Sequence, residues 1–295
     1  MSRLRSPLIA ALSALVLHTP SVQADEYTVV ASVKPLHSLT SLVMAGNDRA
    51  PMLLQDQPIS PHHHHLKPTT GQLLENSDVM FWFGPALSPF LEQASESILP
   101  KGASVNMLSV PGVDAVSYTG EAEQDMALLD PHVWLDPQRA ITMVHYIADV
   151  LAGNDDQNAD RYRANAQAAA DEILALDLKI QQEFEGLTHK PILAFHPAYQ
   201  YFATRYGINE VHSILNGAEH MPSAKRIRDI NALIRKHNIK CILVEPQFSS
   251  SLLDALIGDL KTVSADPIGN HIEAGSSHYT TMLMDLANAF LECAD

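Results

Sequence analysis

The chain of 295 residues is poor in cysteine and poor in positive charge. It contains only two cysteines, Cys241 and Cys293, and no CxxC spacing, which argues against a thiolate metal site. An HExxH motif is also absent, so the best-known sequence mark of a zinc hydrolase is missing. Nineteen Lys and Arg face 34 Asp and Glu, for a net charge of -15. That balance speaks against nucleic acid and anionic membrane surfaces as partners, and it is compatible with binding a cation. Beyond the first two dozen residues no apolar run approaches the ~18 residues that span a bilayer, so the mature chain is expected to be soluble. Hydrophobic residues at 46% and charged residues at 18% allow a sizeable core.

The N-terminus does not belong to the fold. Arg3 and Arg5 open a positive start, an apolar run follows from Leu8 to Leu17, and Val22-Gln23-Ala24 supplies small residues for a peptidase. This predicts a secretory signal over 1–24, cleaved after Ala24, with an apolar stretch of ~10 residues that is too short for an anchor. Export changes the reading of the cysteines. Two cysteines in an oxidising compartment are expected to pair, and a Cys241–Cys293 bridge would tie the last helix to a buried strand.

After the signal, strand-like and helix-like segments alternate. Tyr27–Val33, Asp78–Phe83, Ser104–Met107, Pro191–Phe195, Glu210–Ile214, Lys240–Val244 and Thr262–Ala265 read as strands or extended pieces, and Met52–Leu54 is a short apolar run. Helices are predicted over His37–Ala45, from Thr69 or Thr70 as cap to Asn76, and from Gly84-Pro85 to Leu99. Further helices are predicted over Pro137–Leu151, Tyr199–Tyr206, Ser223–His237 and Ser277–Cys293. Residues 111–129, with Asp114, Glu121, Glu123 and Asp125, read as a mobile surface loop. From Asp155 to about Leu187 there is no Pro and no Gly before Gly186, and Ile173, Leu174, Leu176, Leu178 and Ile180 recur as apolar residues. This is the signature of one long helix. Alternating strands and helices imply parallel sheets. The expected fold class is α/β, with two lobes of roughly four parallel strands each: a signal at 1–24, an N-terminal lobe at 25–153, a linking helix at 154–188 and a C-terminal lobe at 189–295.

The fifteen histidines carry the chemistry. The conspicuous run is His62-His63-His64-His65. Neutral imidazole suits Zn²⁺, Cu²⁺ and Ni²⁺, but four neighbours cannot all converge on one ion. At most one or two would be fixed ligands, leaving the others auxiliary. His132, in Asp130-Pro131-His132-Val133-Trp134-Leu135-Asp136-Pro137, and His196, in Ala194-Phe195-His196-Pro197, each follow an apolar segment beside a proline. Asp266 has the matching setting in Ser264-Ala265-Asp266-Pro267. Strand carboxyl ends are where α/β folds hold ligands, so positions 62, 132, 196 and 266 form a candidate site in a cleft. Three imidazoles with a carboxylate or a water satisfy tetrahedral Zn²⁺. His37, His145, His189, His212, His220, His237, His271 and His278 share no such context and read as surface or helix residues.

At these motifs the chain resembles the zinc-specific solute-binding proteins of ATP-binding-cassette importers, the ZnuA-like branch of the cluster A-I family. The resemblance runs from about Val29 to Cys293. It rests on Val30-Ala31-Ser32-Val33-Lys34-Pro35, His62 with Leu66-Lys67-Pro68, His132-Val133-Trp134-Leu135 and Phe195-His196-Pro197-Ala198-Tyr199-Gln200-Tyr201-Phe202. Glu245-Pro246-Gln247-Phe248 and Asp266-Pro267-Ile268-Gly269 complete it. The resemblance implies two four-stranded lobes on a rigid linking helix, His62, His132 and His196 as ligands, and the Cys241–Cys293 disulfide of this branch. Manganese-type relatives tend to carry Glu at the third position, where this chain has His196. The resemblance further implies a high-affinity periplasmic receptor that captures Zn(II) and delivers it to an ABC permease in the inner membrane, monomeric, and not an enzyme. Two departures stand out. The region at 111–129 is short and lacks the histidines of many zinc members, so His63, His64 and His65 are candidate auxiliary ligands. Pro61 stands where some members place Glu, which leaves Asp266 or water as the fourth ligand, with Glu245 as a candidate for orienting one of the histidines. A manganese- or iron-type receptor of the same fold, a zinc hydrolase and a metal-binding adhesin are the alternative functions.

Overall fold

The computed structural model describes residues 27–57, 59–65, 67–98, 103–118, 126, 128–188, 190–215, 222–246, 258 and 260–294. The expected signal at 1–24, His189, His220 and the acidic stretch at 119–125 lie outside the described residues.

The short apolar runs become two parallel sheets of the same design. In the N-terminal lobe, β1 (Val29–Ala31), β2 (Met52–Leu53), β3 (Val79–Trp82) and β4 (Ala103–Asn106) lie in the order β2-β1-β3-β4. In the C-terminal lobe, β5 (Ile192–Ala194), β6 (Val211–Ser213), β7 (Cys241–Val244) and β8 (Lys261–Ser264) lie in the order β6-β5-β7-β8. Each central pair is buried on both faces, which is why β3 reads as an unbroken apolar run, not as an alternation. In both sheets the strand order reverses beside the first strand. Crevices open at such points, outside the carboxyl ends of the strands. The register makes this concrete in the second sheet, where Ala194 lies beside Leu243. Two residues further along each strand come His196 and Glu245.

The helices are α1 (Lys34–Val43), α2 (Pro68–Glu75), α3 (Gly84–Leu87), α4 (Pro89–Ser97), α5 (Pro137–Asn154), α6 (Ala159–Phe184), α7 (Gln200–Arg205), α8 (Ala224–His237) and α9 (His278–Ala294). Asp136 caps α5 by accepting from the Gln138 amide, and Ser223 caps α8 by accepting from the Arg226 amide. Two expectations change. Helix α2 starts at Pro68, with Lys67 before it and no Thr cap, because proline is already set for a first helical turn. The helix expected from Gly84 to Leu99 is two, α3 and α4, divided at Ser88 where Pro89 cannot donate an amide.

Helix α6 is 26 residues long and packs on α1, α5 and α9. Its buried stripe is Tyr162, Ala166, Ala169, Ala170, Ile173, Asp177, Ile180 and Phe184, at helical spacing. Leu174 and Leu178, counted as apolar periodicity in the sequence, are exposed, and a carboxylate takes the inner place. Asp177 is fully buried and accepts from Gln138 Nε2 at 2.9 Å, Tyr206 Oη at 3.1 Å and the Arg205 guanidinium. It thereby joins α5 and α7 across the helix that links the lobes. One apolar core runs from Val29 and Phe81 through α5, α6 and α9 to Tyr199, Leu243 and Phe290. The lobes therefore share a core. The segment expected to be a mobile loop is held where it is described: Val113 is buried, Ser117 bridges Leu129, and the Val116 amide donates to Tyr201 Oη.

Cys241 on β7 and Cys293 on α9 form a disulfide with their Cα atoms 5.5 Å apart. It closes a loop across a sequence separation of 52 residues. Exchanging both for Ser is expected to lower the unfolding free energy by about 4 kcal/mol from loop entropy alone, read from urea unfolding as a lower midpoint with a steeper slope, since the freed unfolded chain exposes more surface.

Candidate metal centre

Each of three buried imidazoles is held at its Nδ1 by a group that can only accept. The chain after β2 tightens into a 3₁₀ turn at Pro61–His63, in which Ser60 Oγ accepts from the His62 amide. His62 Nδ1 donates to the Ala86 carbonyl at 3.1 Å. Ala86 belongs to α3, whose first residue, Gly84, has φ +68° and would place a Cβ 2.6 Å from Asn106 Nδ2. Only glycine fits both the backbone and the space.

His132 follows Pro131 and leads into a 3₁₀ turn at Val133–Leu135. Asp130 Oδ1 accepts from both the His132 amide, at 3.0 Å, and His132 Nδ1, at 2.6 Å. Asp130 is itself fully buried, and its other oxygen accepts from Gln200 Nε2 on α7. Tyr201 Oη donates to the Asp130 carbonyl at 2.9 Å. His196, at the end of β5, donates from Nδ1 to Glu245 Oε1 at the end of β7. Tyr199 Oη donates to the Ala265 carbonyl at 3.2 Å and lies 3.5 Å from the same Glu245 oxygen.

A neutral imidazole with its proton on Nδ1 has a bare lone pair on Nε2. His132 Nε2 and His196 Nε2 stand 3.3 Å apart, and as two acceptors they cannot bond each other. His62 Nε2 is buried with no hydrogen-bond partner among the described residues. One ligand atom from each of the three residues lies within 4.8 Å of the others. Nitrogens bound at 2.0–2.1 Å to a tetrahedral zinc stand about 3.3–3.4 Å apart, so the His132–His196 separation already matches one edge. The rings face a cavity of about 10 Å³, also lined by Ser60, Pro61, Glu245, Pro267 and Ile268, which is the room of a single atom-sized guest.

Burial, then the facing His132 and His196, hold the His62 pKa well below its usual 6.5. The imidazole is thus kept in the form that ligates. Burial raises the Glu245 carboxyl, while the His196 imidazole beside it acts in the opposite sense.

Of the positions expected from sequence, the structure brings His62, His132 and His196 together and sets Glu245 behind His196. It does not bring Asp266 into the group. Asp266 Oδ1 accepts from the Ile268 and Gly269 amides and from Asn270 Nδ2, and Oδ2 accepts from the Asn270 amide at 2.7 Å. Proline-marked strand ends need their following amides capped, and this carboxylate serves that need. His64 turns aside onto the Phe90 ring at 5.1 Å, and His63 and His65 are exposed. Sequence reasoning missed Asp130. Its signal was its place two residues before His132, the spacing at which one carboxylate reaches both the amide and the ring of the histidine.

The family model described as zinc-uptake complex component A, periplasmic, matches residues 29–293. The high-affinity zinc uptake system protein ZnuA of Brucella abortus is 29% identical over 92% of this chain and 93% of its own length. Two solved structures share the fold. A Zn(II)-bound mutant variant of AdcAII from Streptococcus pneumoniae is 21% identical, covers 90% of this chain and 99% of its own, and has a TM-score of 0.75. FpvC of Pseudomonas aeruginosa in complex with Mn²⁺ is 19% identical, covers 90% and 97%, and has a TM-score of 0.79.

The two carboxylates near the rings are expected to separate by role. Glu245→Gln should weaken zinc binding by about 10–100-fold, because the amide can present a donor to Nδ1 and lose the tautomer it held. Asp266→Asn should leave zinc affinity within about threefold and cost about 2 kcal/mol of stability, since it weakens amide caps of a charged acceptor. Chelator-competition titrations and urea melts of the two variants check both.

Proposed function

Because the chain belongs to the periplasmic zinc-uptake component A family, we propose that His62, His132 and His196 are the residues that hold its zinc. The protein is a zinc-binding receptor of a zinc-uptake system, with Zn(II) as cargo and a membrane permease as the implied partner. It is not an enzyme. The observation that carries the ligand assignment is the convergence of three Nε2 lone pairs whose opposite nitrogens are all committed to acceptors. Such a set lacks a proton to share and gains most from a cation.

The donor chemistry supports zinc over a hard ion. Three imidazoles suit borderline metals, whereas manganese sites draw more on carboxylate oxygen. Asp266 is taken up by its turn, so the fourth position is assigned to a water. A hydrolase would need such a water beside a free general base. Asp130 and Glu245 are instead spent on the Nδ1 atoms of two ligands.

The remaining features belong to the same reading. Residues 1–24 are the proposed cleaved export signal, and the chain is read as 25–153, 154–188 and 189–295, with the middle stretch linking two lobes. His63 and His65, exposed beside His62, are proposed to collect zinc at the mouth of the site, and His64 is the least suited to do so because it packs on Phe90. The receptor is proposed to act as a monomer and, with its charge of -15, without nucleic acid.

Replacing His132 and His196 together with Ala should abolish tight zinc binding in calorimetry. Retention of one tightly bound Zn²⁺ by that variant would sink the assignment. For the unaltered protein, zinc affinity measured by calorimetry from neutral to acid pH should fall on acidification, as protons compete for Nε2. The sign follows from the lowered His62 pKa: its competition begins only under the ordinary imidazole value.

A further inference from the structure

Two histidines that the sequence left among surface and helix residues form a second cluster. His212 lies in β6, the edge strand of the second sheet, in register with Leu193. Leu193 packs with Ile230, Ile239 and the half-buried Ile234, so this is the face covered by α8. His237 is the last residue of α8, where Asn238 turns left-handed at φ 52° and ends the helix. The two rings stand 4.8 Å apart between centroids. Glu210, just before β6, places its carboxylate 3.3 Å from His237 Nδ1, and its own carbonyl is fastened by the Ile192 amide. One ligand atom from each of Glu210, His212 and His237 lies within 4.8 Å of the others.

A His–Glu ion pair accounts for two of these residues and leaves the third unexplained. His212 Nε2 is buried and has no hydrogen-bond partner among the described residues. A buried nitrogen beside a second imidazole and a carboxylate is an uncompensated polar atom unless something bridges it. An N···O separation of 3.3 Å also suits two donors on one ion, since bonds of about 2.0–2.2 Å at a tetrahedral centre set ligands about 3.3–3.5 Å apart. Two imidazoles and a carboxylate are a complete protein donor set for zinc with an open position.

We propose that Glu210, His212 and His237 form a second binding site for a borderline divalent metal, with Zn²⁺ as the natural occupant. The site is separate from the central one. Glu210 is level with Ile192, the first residue of β5, whereas His196 follows the last, so the two sites sit toward opposite ends of the sheet. Glu210 is half exposed and Asn238 ends the helix in solvent-facing turn geometry. Solvent and side-chain freedom therefore compete with the ion here more than in the cleft. Affinity at this site should be at least about 100-fold weaker than at the central one, or roughly 10 µM where the central site is 0.1 µM or tighter. A bound ion would fasten the exposed edge strand to the end of α8.

The test uses the mature full-length chain with Zn²⁺ as the only ligand. His63, His64 and His65 are first changed to Ala, so that the run beside the cleft contributes no zinc. Equilibrium dialysis at saturating free zinc should then give two ions per chain, and adding His212→Ala with His237→Ala should give one, with the tight isotherm unchanged. Glu210→Gln, an exposed and nearly isosteric change, should weaken only the second isotherm by about tenfold. In the His132→Ala, His196→Ala background the weak site should persist, so its failure and the failure of the central assignment are read separately. A single zinc in the run-deleted chain, or two after loss of His212 and His237, would overturn the proposal.

Discussion

The structure turns on the direction of three protons. His62, His132 and His196 can converge as ligands only if each carries its hydrogen on Nδ1, and in each case a carbonyl or carboxylate behind the ring keeps it there. Two of the three holders, Asp130 and Glu245, are carboxyl groups at 0% and 1% exposure. Burying them is costly unless they are well bonded, so they are among the dearest residues of the fold. Asp130 is bonded from α7 by Gln200 and through its carbonyl by Tyr201, and Glu245 lies beside Tyr199. The site is therefore supported by the helix and strands that it faces.

The lobes are locked by the same region. Trp134, two residues beyond His132, donates from Nε1 to the Pro267 carbonyl at 2.8 Å, and Tyr279 Oη donates to the Trp134 carbonyl at 2.8 Å. Lys34 at the head of α1 donates to the Asn270 and Ile272 carbonyls, and Ser38 joins Ser276 and Tyr279. These bonds cross from one lobe to the other around the cleft, and the apolar core continues beneath them. A receptor built this way does not rest on a slack hinge. His37 and His278, read from sequence as surface or helix positions, are buried helix residues on this seam, and burial lowers the His278 pKa to about 4. Asp266 belongs to the seam as well, since its carboxylate ties the turn at 268–270 that Lys34 grips.

Much of the fold was legible in the chain because parallel sheets write plainly. Buried strands such as Val79–Trp82 and Cys241–Val244 appear as apolar runs, proline and serine mark helix starts at Pro137 and Ser223, and the lack of breakers marks α6. The errors fell where tertiary contacts override local pattern. Leu174 and Leu178 add to the apolar count but lie off the inward stripe of Ile173, Asp177, Ile180 and Phe184, so the inner place falls to Asp177, which Gln138, Arg205 and Tyr206 satisfy. Residues 113–117 look like loop by composition yet are pinned by Tyr201 and a bridge to Leu129.

For the proposed metal centre, the sequence by itself named the candidate donors. Imidazoles beside prolines at 62, 132 and 196 point to a borderline cation, and a paired Cys241 and Cys293 point to an oxidising compartment; the strand-end setting expected for all three holds only for His196, since His62 and His132 sit at 3₁₀ turns. Only the tertiary structure decided which neighbours of those residues serve the site. Asp266 shares the local setting of His132 and His196 but turns its oxygens to its own amides, while Asp130 and Glu245 turn theirs to the rings. Nor could spacing along the chain bring Glu210 and His212 to His237, which the pairing of β6 with β5 and the packing of α8 achieve. The reason is directional. A sequence names the donors and acceptors available, but which lone pair meets which proton is set by strand register and packing.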